Sequence, residues 1–304
     1  MTKINNIYEC YDEKALYAKN QGIFMRFLSL NIRLRLKKFI LIIKDPKPFF
    51  IRKFIILFAL RQKRNIHSIS KNGVTKLNGE NLPEFENIFS YWSERSKKLI
   101  DIQKLNKTKY SKNLLDGIEI LSHSPTINFA LSHELLLVIG EYLGTSPSLH
   151  SVNLWWGKAE EPRAGSPFFH LDSLDSSCIR LYVYLSDVAD NNGPFCVIPR
   201  NESLRFIKKT GYLGNSLSDE SVFKIVPTSS LKKLTGKAGS IFAIDATNSL
   251  HYGSRCVEGD RVALIFSYAS YHNEDKTYDF LSSLPKLNNP TPLQKMAYEH
   301  MSTK

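Results

Sequence analysis

Apolar positions along the chain recur with two periods, and the period changes near Leu149. Residues 82–143 read as helical. Pro83 opens the stretch, and Phe85, Ile88, Phe89 and Trp92 follow at helical spacing. A second periodic run, Ile127 to Leu143, ends at Gly144, a residue suited to the left-handed cap that closes a helix. From Leu149 onward, short runs rich in Val, Ile, Phe and Tyr alternate with clusters of Gly, Pro, Asn and Asp. This texture predicts strands near 151–157, 167–173, 178–186, 195–199, 222–226, 239–244 and 261–270. Many short strands with turn-rich connections predict a mainly β fold with flanking helices (α+β), of the sandwich or jelly-roll kind. The polar, Lys-rich stretch 200–237 reads as an insertion or lid over one mouth of the barrel. Thr291 and Pro292 announce a short C-terminal helix. Trp155 and Trp156 are adjacent, so a strand points them to opposite sides, with core packing the expected role.

Residues 22–64 are harder to read by period. Pro46 and Pro48 split the segment, ending one helix and starting another. Arg26, Arg33, Lys37 and Lys44 share one face at about 100° per residue, which fits a helix. Leu30, Ile32, Leu34 and Leu36 alternate with Asn31, Arg33, Arg35 and Lys37, which fits a strand. The helix is the expectation carried forward. Residues 1–21 are polar and are expected to be weakly ordered.

Charge changes the picture of this segment. The chain of 304 residues carries a net +12. Twelve Lys and Arg fall between Arg26 and Arg64 against one acid, Asp45, so the remainder is nearly neutral. Three units are expected: a basic-hydrophobic segment 1–64, a central body 65–285 and a tail 286–304. The basic segment predicts an anionic partner. Its apolar content favours a membrane surface, reached through 22–64, over nucleic acid. The plainer alternative packs it on the barrel with a solvated charged face. No stretch reaches the ~18 uninterrupted apolar residues of a spanning helix. Cys10, Cys178, Cys196 and Cys256 have no CxxC spacing, and Met1 to Asn20 has no continuous apolar run. These features predict free thiols and a cytoplasmic protein, with attachment to the membrane periphery the further expectation.

Chemistry enters with Phe168-Phe169-His170-Leu171-Asp172. On a strand, residues two apart face the same side, so His170 and Asp172 can share one metal. His251, after the strand Ile241-Phe242-Ala243-Ile244 and the turn-like Asp245-Ala246-Thr247-Asn248, is the candidate third ligand. Two histidines and a carboxylate on one face of Fe(II) leave three positions open, enough for a bidentate 2-oxo acid and O2. Arg261 heads the run Val262-Ala263-Leu264-Ile265-Phe266 and shares a face with Ala263, Ile265 and Ser267. A buried guanidinium needs an anion, and a dicarboxylate fits its bidentate geometry. A second His-x-acid pair, His272-Asn273-Glu274, has only His300 after it and no Arg beyond. The bland alternatives are a hydrogen-bonded strand histidine for the triad, a surface ion pair for Arg261 and core packing for Tyr182. His67, His123, His133, His150 and His300 have no partner pattern and are expected to be structural or exposed.

Residues ~140–270 resemble the phytanoyl-CoA dioxygenase family of Fe(II)/2-oxoglutarate oxygenases. The likeness rests on Glu141-Tyr142-Leu143-Gly144, His170-Leu171-Asp172, Leu181 to Asp187, Asn192-Gly193-Pro194, Ile198-Pro199, Gly239 to Asp245, His251-Tyr252-Gly253-Ser254 and Arg261, in that order. The resemblance implies a double-stranded β-helix (jelly roll, cupin-like) with helices outside. It implies Fe(II) on His170, Asp172 and His251, and 2-oxoglutarate held at its far carboxylate by Arg261. It also implies that Tyr182 lines the cosubstrate pocket and that Ser254 assists Arg261. After Ile198-Pro199 the family runs Gly-Ser-His, whereas this chain has Arg200-Asn201-Glu202-Ser203. The implied activity is a dioxygenase that hydroxylates a small-molecule or carrier-bound substrate of acyl or sugar type. The alternatives are a non-enzymatic cupin-like metal-binding sensor or scaffold, and a basic module that docks on anionic membranes.

Overall fold

The computed structural model describes residues 28–61, 68–106, 112–115, 117–159, 168–253, 255–273 and 287–299. The expected weak order of 1–21 lies outside these residues, as do His67, Ser254, Glu274 and His300.

The basic segment is helical: α1 spans Leu30–Lys44 and α2 spans Pro46–Arg61. Pro46 stands at the first turn of α2, where a missing N–H costs nothing. Leu30 and Leu34 turn inward while Ile32 and Leu36 stay exposed. A strand would have put all four on one side, so helical period won. The next helices are α3 (Phe85–Leu105), α4 (Gly117–Ser122), α5 (Ser124–Ala130) and α6 (His133–Leu143). Gly144 closes α6 in the left-handed region, at φ 68°, as its position predicts.

Among the described residues nine strands follow in order: β1 (Val74–Leu77), β2 (Lys112–Asn113), β3 (Ser148–Gly157), β4 (Ile179–Tyr184), β5 (Phe195–Val197), β6 (Lys232–Leu234), β7 (Ile241–Asp245), β8 (His251–Tyr252) and β9 (Arg261–Ala269). Helices α7 (Arg200–Thr210) and α8 (Asp219–Phe223) lie between β5 and β6, and α9 (Pro292–Glu299) is the short helix expected from Pro292. The larger sheet runs β1-β7-β4-β9-β3-β2 and the smaller β6-β5-β8, with antiparallel pairing throughout. A bridge between His170 and His251 extends the smaller sheet by one more segment. From β3 onward the chain crosses between sheets: β3 large, 168–170 small, β4 large, β5 and β6 small, β7 large, β8 small, β9 large. That alternation is a jelly roll with flanking helices.

Two predicted strands turn out differently. Residues 222–226 belong to the end of α8 and its exit, because Ser218 caps that helix by accepting from the Ser221 N–H. Of the strand expected at 167–173, the described residues 168–173 pair only through isolated bridges, Phe169 with Leu217 and His170 with His251. The stretch 200–237 is not wholly an insertion, since β6 is a strand of the smaller sheet.

The outer face of the large sheet packs on helices, with Leu154, Trp156, Leu181, Leu264 and Phe266 against residues such as Ile56, Trp92, Phe129 and Leu293. A second cluster joins Leu30 and Leu34 of α1 to Phe169, Ile198, Phe206 and Leu250. A third fills the space between the sheets with Tyr182, Tyr184, Phe195 and Ile265. Residues from both chain ends thus enter the cores of the central body. Cys178, Cys196 and Cys256 are buried free thiols.

Candidate metal centre

His170, Asp172 and His251 meet where the two sheets open. His170 and His251 are paired backbone to backbone, at 3.0 Å and 3.1 Å. The ladder therefore sets the two rings side by side, with centroids 4.3 Å apart. Asp172 lies two residues on, its N–H donating to the Ala246 carbonyl at 3.1 Å. That bond ties it to the turn that leads into His251. One candidate ligand atom from each of the three lies within 4.8 Å of the others, the one such cluster among the described residues.

Each side chain has one atom committed and one atom left to point inward. Nδ1 of His170 donates to the Phe168 carbonyl at 2.8 Å, and Nδ1 of His251 to the Ser249 carbonyl at 2.9 Å. A carbonyl can only accept, so both rings carry the proton on Nδ1 and expose a lone pair on Nε2. Asp172 Oδ2 is 2.6 Å from Nε of Arg180, which leaves Oδ1 facing the rings. Oδ1 is 4.0 Å from Nε2 of His170 and 3.8 Å from Nε2 of His251. Donors bound at ~2.1 Å and at right angles around one ion lie about 3 Å apart. Closing the cluster around an ion thus takes shifts within side-chain reach, and the donor set fits a 2-His-1-carboxylate metal.

Charge is consistent with that use. Burial, and then the neighbouring His170, push the His251 imidazole down to about 3, so it is neutral at neutral pH. Burial alone would raise the Asp172 carboxyl, but the Arg180 charge beside it holds it below the ordinary value.

The cluster borders a cavity of about 180 Å³ lined by His170, His251, Arg180, Tyr182 and Arg261, with Asn153, Trp155 and Phe195 in its wall. Strand register builds this wall. Tyr182 pairs with Ile265 and Arg180 with Ser267 across β4 and β9, while Asn153 pairs with Ile265 across β3 and β9. Alternate residues of three adjacent strands thus share the inner face. Arg261 is buried and donates to the Gly193 carbonyl at 2.7 Å. Gly253 leaves room for it, since a Cβ there would come within 3.3 Å of the guanidinium. Burial pushes the Tyr182 phenol up, so it stands as a neutral hydroxyl in the wall.

The expected residues His170, Asp172, His251, Tyr182 and Arg261 converge, and Ser254 lies outside the described residues. Trp155 was not foreseen as a site residue, and Arg180 was foreseen only as a second choice, with Arg255, for the anion-binding role of Arg261. Arg180 could have been found by alternation, two positions before Tyr182 on one strand. Trp156 alone is fully buried in the core, and Trp155 faces the cavity. His272 is remote in role: its Nε2 bonds the Asp45 carbonyl at 2.8 Å, between α1 and α2.

No family model matches the chain, and no curated protein matches it. Solved structures do. AviO1 from Streptomyces viridochromogenes Tue57 aligns with TM-score 0.48 and 13% identity over 68% of this chain and 97% of its own. EctD from S. alaskensis, in its apo form, aligns with TM-score 0.48 and 17% identity over 68% and 76%. HygX from Streptomyces hygroscopicus, solved with nickel and 2-oxoglutarate bound, aligns with TM-score 0.41 and 17% identity over 65% and 82%. At identities this low, the site is read from its own residues.

Proposed function

We propose that the chain is a non-haem Fe(II) oxygenase that uses 2-oxoglutarate and O2, with His170, Asp172 and His251 as the metal ligands. The observation that carries this reading is a single cavity with a three-donor cluster on one wall and the Arg261 guanidinium on another. When bound, iron and 2-oxoglutarate supply the oxidation: R–H, 2-oxoglutarate and O2 give R–OH, succinate and CO2.

The chain's own residues account for the rest. The two Nδ1–H···O=C bonds fix both tautomers before any metal arrives. Arg180 holds one oxygen of Asp172, so the carboxylate offers the other singly. Arg261 keeps one donor on Gly193 and serves the far carboxylate of 2-oxoglutarate from the same fork. Tyr182 contributes a hydroxyl to the same pocket, while Trp155, Phe195 and Ile265 give it apolar wall. The cavity is smaller than the ~300 Å³ of an ordinary ligand pocket. It suits a dicarboxylate cosubstrate, with a small-molecule or carrier-bound substrate at the mouth.

The test is an anaerobic titration with Fe(II) and 2-oxoglutarate, followed by admission of O2 and measurement of succinate. Stoichiometric binding and succinate release are expected. Metal binding without any 2-oxoglutarate turnover would move the protein to the class of metal-binding sensors or scaffolds.

A further inference from the structure

Helices α1 and α2 bury polar side chains together with a few apolar ones, Leu30, Leu34, Ile56 and Ala59, and carry large apolar side chains outward as well. Their inward faces carry polar anchors. Arg52 donates to the Met296 carbonyl at 2.6 Å and to Ser148 Oγ at 3.1 Å. Asn31 donates to Asn248 Oδ1 at 2.9 Å, and Lys38 pairs with Asp175 at 3.3 Å. Their outward faces carry apolar side chains between exposed cations. Ile32, Phe39 and Ile43 of α1 and Phe50, Phe54 and Phe58 of α2 recur at helical spacing and are exposed, Phe54 by 71% and Phe50 by 66%. A surface helix ordinarily turns such a stripe to the core, and contiguous exposed apolar surface marks an interaction site.

Exposed Arg35, Lys44, Lys47, Lys53 and Arg61 stand beside these stripes. Between Leu28 and Arg61 nine Lys and Arg face one acid, Asp45. We propose that α1 and α2 dock the protein on an anionic membrane surface, lying in its plane with the phenyl and aliphatic groups in the headgroup boundary. Apolar stripes bordered by cations fit that surface in both respects. Spanning is a poor fit: α2 is ~24 Å long against a ~30 Å hydrocarbon core, and no helix among the described residues is long and apolar enough to cross a membrane. A second copy of the chain is also a poor fit, because a two-fold contact through this face would set its cations against themselves. Docking would fix the candidate metal centre relative to the bilayer. Asn31 and Lys38 grip Asn248 and Asp175, which lie a few residues from His251 and Asp172. The inference stands independently of the oxygenase reading.

The experiment is co-sedimentation of the full chain with phosphatidylcholine vesicles, with and without phosphatidylserine, at low salt and at about 1 M salt. Binding to the phosphatidylserine vesicles that weakens with salt is expected. K44Q/K47Q/K53Q/R61Q should lower the partition coefficient by at least about tenfold. F50S/F54S/F58S should lower binding while leaving the melting temperature unchanged, since these side chains are exposed. Equal binding to both vesicles, or none to either, would overturn the proposal. So would a dimer in sedimentation velocity, or retention on DNA, that the serine variant abolishes without any lipid binding.

Discussion

At the candidate centre, each imidazole holds a backbone carbonyl two residues earlier through Nδ1 and turns Nε2 inward. Removing either ring deletes one donor of three, so His170→Ala or His251→Ala should abolish iron binding in anaerobic dialysis. His272→Ala should leave it intact, because His272 serves the Asp45 carbonyl instead. Full iron occupancy in the His251 variant would sink the ligand assignment. In the proposed reading the two arginines of the cavity have different roles and can be told apart. Arg180 touches the carboxylate ligand, so Arg180→Gln should weaken iron affinity by about 10–100-fold. Arg261 touches none of the three ligands in the hydrogen bond it makes to Gly193. Arg261→Leu should therefore spare iron and raise the 2-oxoglutarate requirement by about 100-fold, the loss of a buried charge-assisted pair. Calorimetric titration of metal and cosubstrate separately reads both. Unchanged cosubstrate affinity in the Arg261 variant would move the anion site, with Arg180 next to be examined. The triad and Arg261 were legible in the sequence because their order along the chain is informative. Trp155 was not, because only pairing with β9 decides which of two adjacent tryptophans faces the cavity.

Elements place these residues, and turns place the elements. The Gly193 carbonyl holds Arg261, and Gly193 itself has φ 68°. A Cβ there would lie 2.5 Å from Cys256 Sγ and 2.8 Å from the Cys256 nitrogen. Gly193→Ala combines left-handed strain with a clash against backbone, so it should destabilise the fold by about 1–3 kcal/mol. It should also weaken 2-oxoglutarate binding, by displacing the carbonyl that steadies the guanidinium. Urea melts and cosubstrate titration check both, and wild-type values in both would show that the turn absorbs the methyl. The strands were legible wherever Val, Ile, Phe and Tyr run between turn residues, as in β3, β4, β7 and β9. The run at 222–226 misled because a short apolar run serves a buried helix end as well as a strand. The Ser218 cap was the deciding signal, and it lies four residues before the run. The two-residue β8 has no period of its own. It exists because His251 pairs with Val197 on one side and His170 on the other.

Across the whole molecule, the basic segment is tied to the body at two of the three core clusters. The sequence made the charge of 22–64 plain but left open which face turns inward, since Arg and Lys occur on both. The structure has Arg33 and Arg52 buried and Phe50 and Phe54 exposed, the reverse of what residue type alone suggests. The cause is the set of polar groups that meets these arginines: the Ser148 hydroxyl and the Met296 carbonyl for Arg52, and the Leu213 carbonyl for Arg33. Leu30 and Leu34 complete the cluster behind Phe169, beside His170, and Ile56 enters the main core near Gly140. A fully buried Leu or Ile contributes roughly 1.5–3 kcal/mol, so these three alone approach the ~5–15 kcal/mol net stability of a whole domain. Deletion of residues 1–64 should therefore remove the cooperative thermal transition or lower its midpoint severely. It would also strip the Met296 and Ser148 groups of their donor. Arg52→Met, which keeps the volume and removes the donors, should by itself cost about 1–3 kcal/mol. Calorimetry of the full chain, the truncated chain and Arg52→Met reads all of this. A truncated protein that melts cooperatively at the full-length temperature would make the segment an appendage. If the truncated chain fails to fold, deletion cannot report on membrane docking, and only outward-face variants such as F50S/F54S/F58S separate attachment from stability.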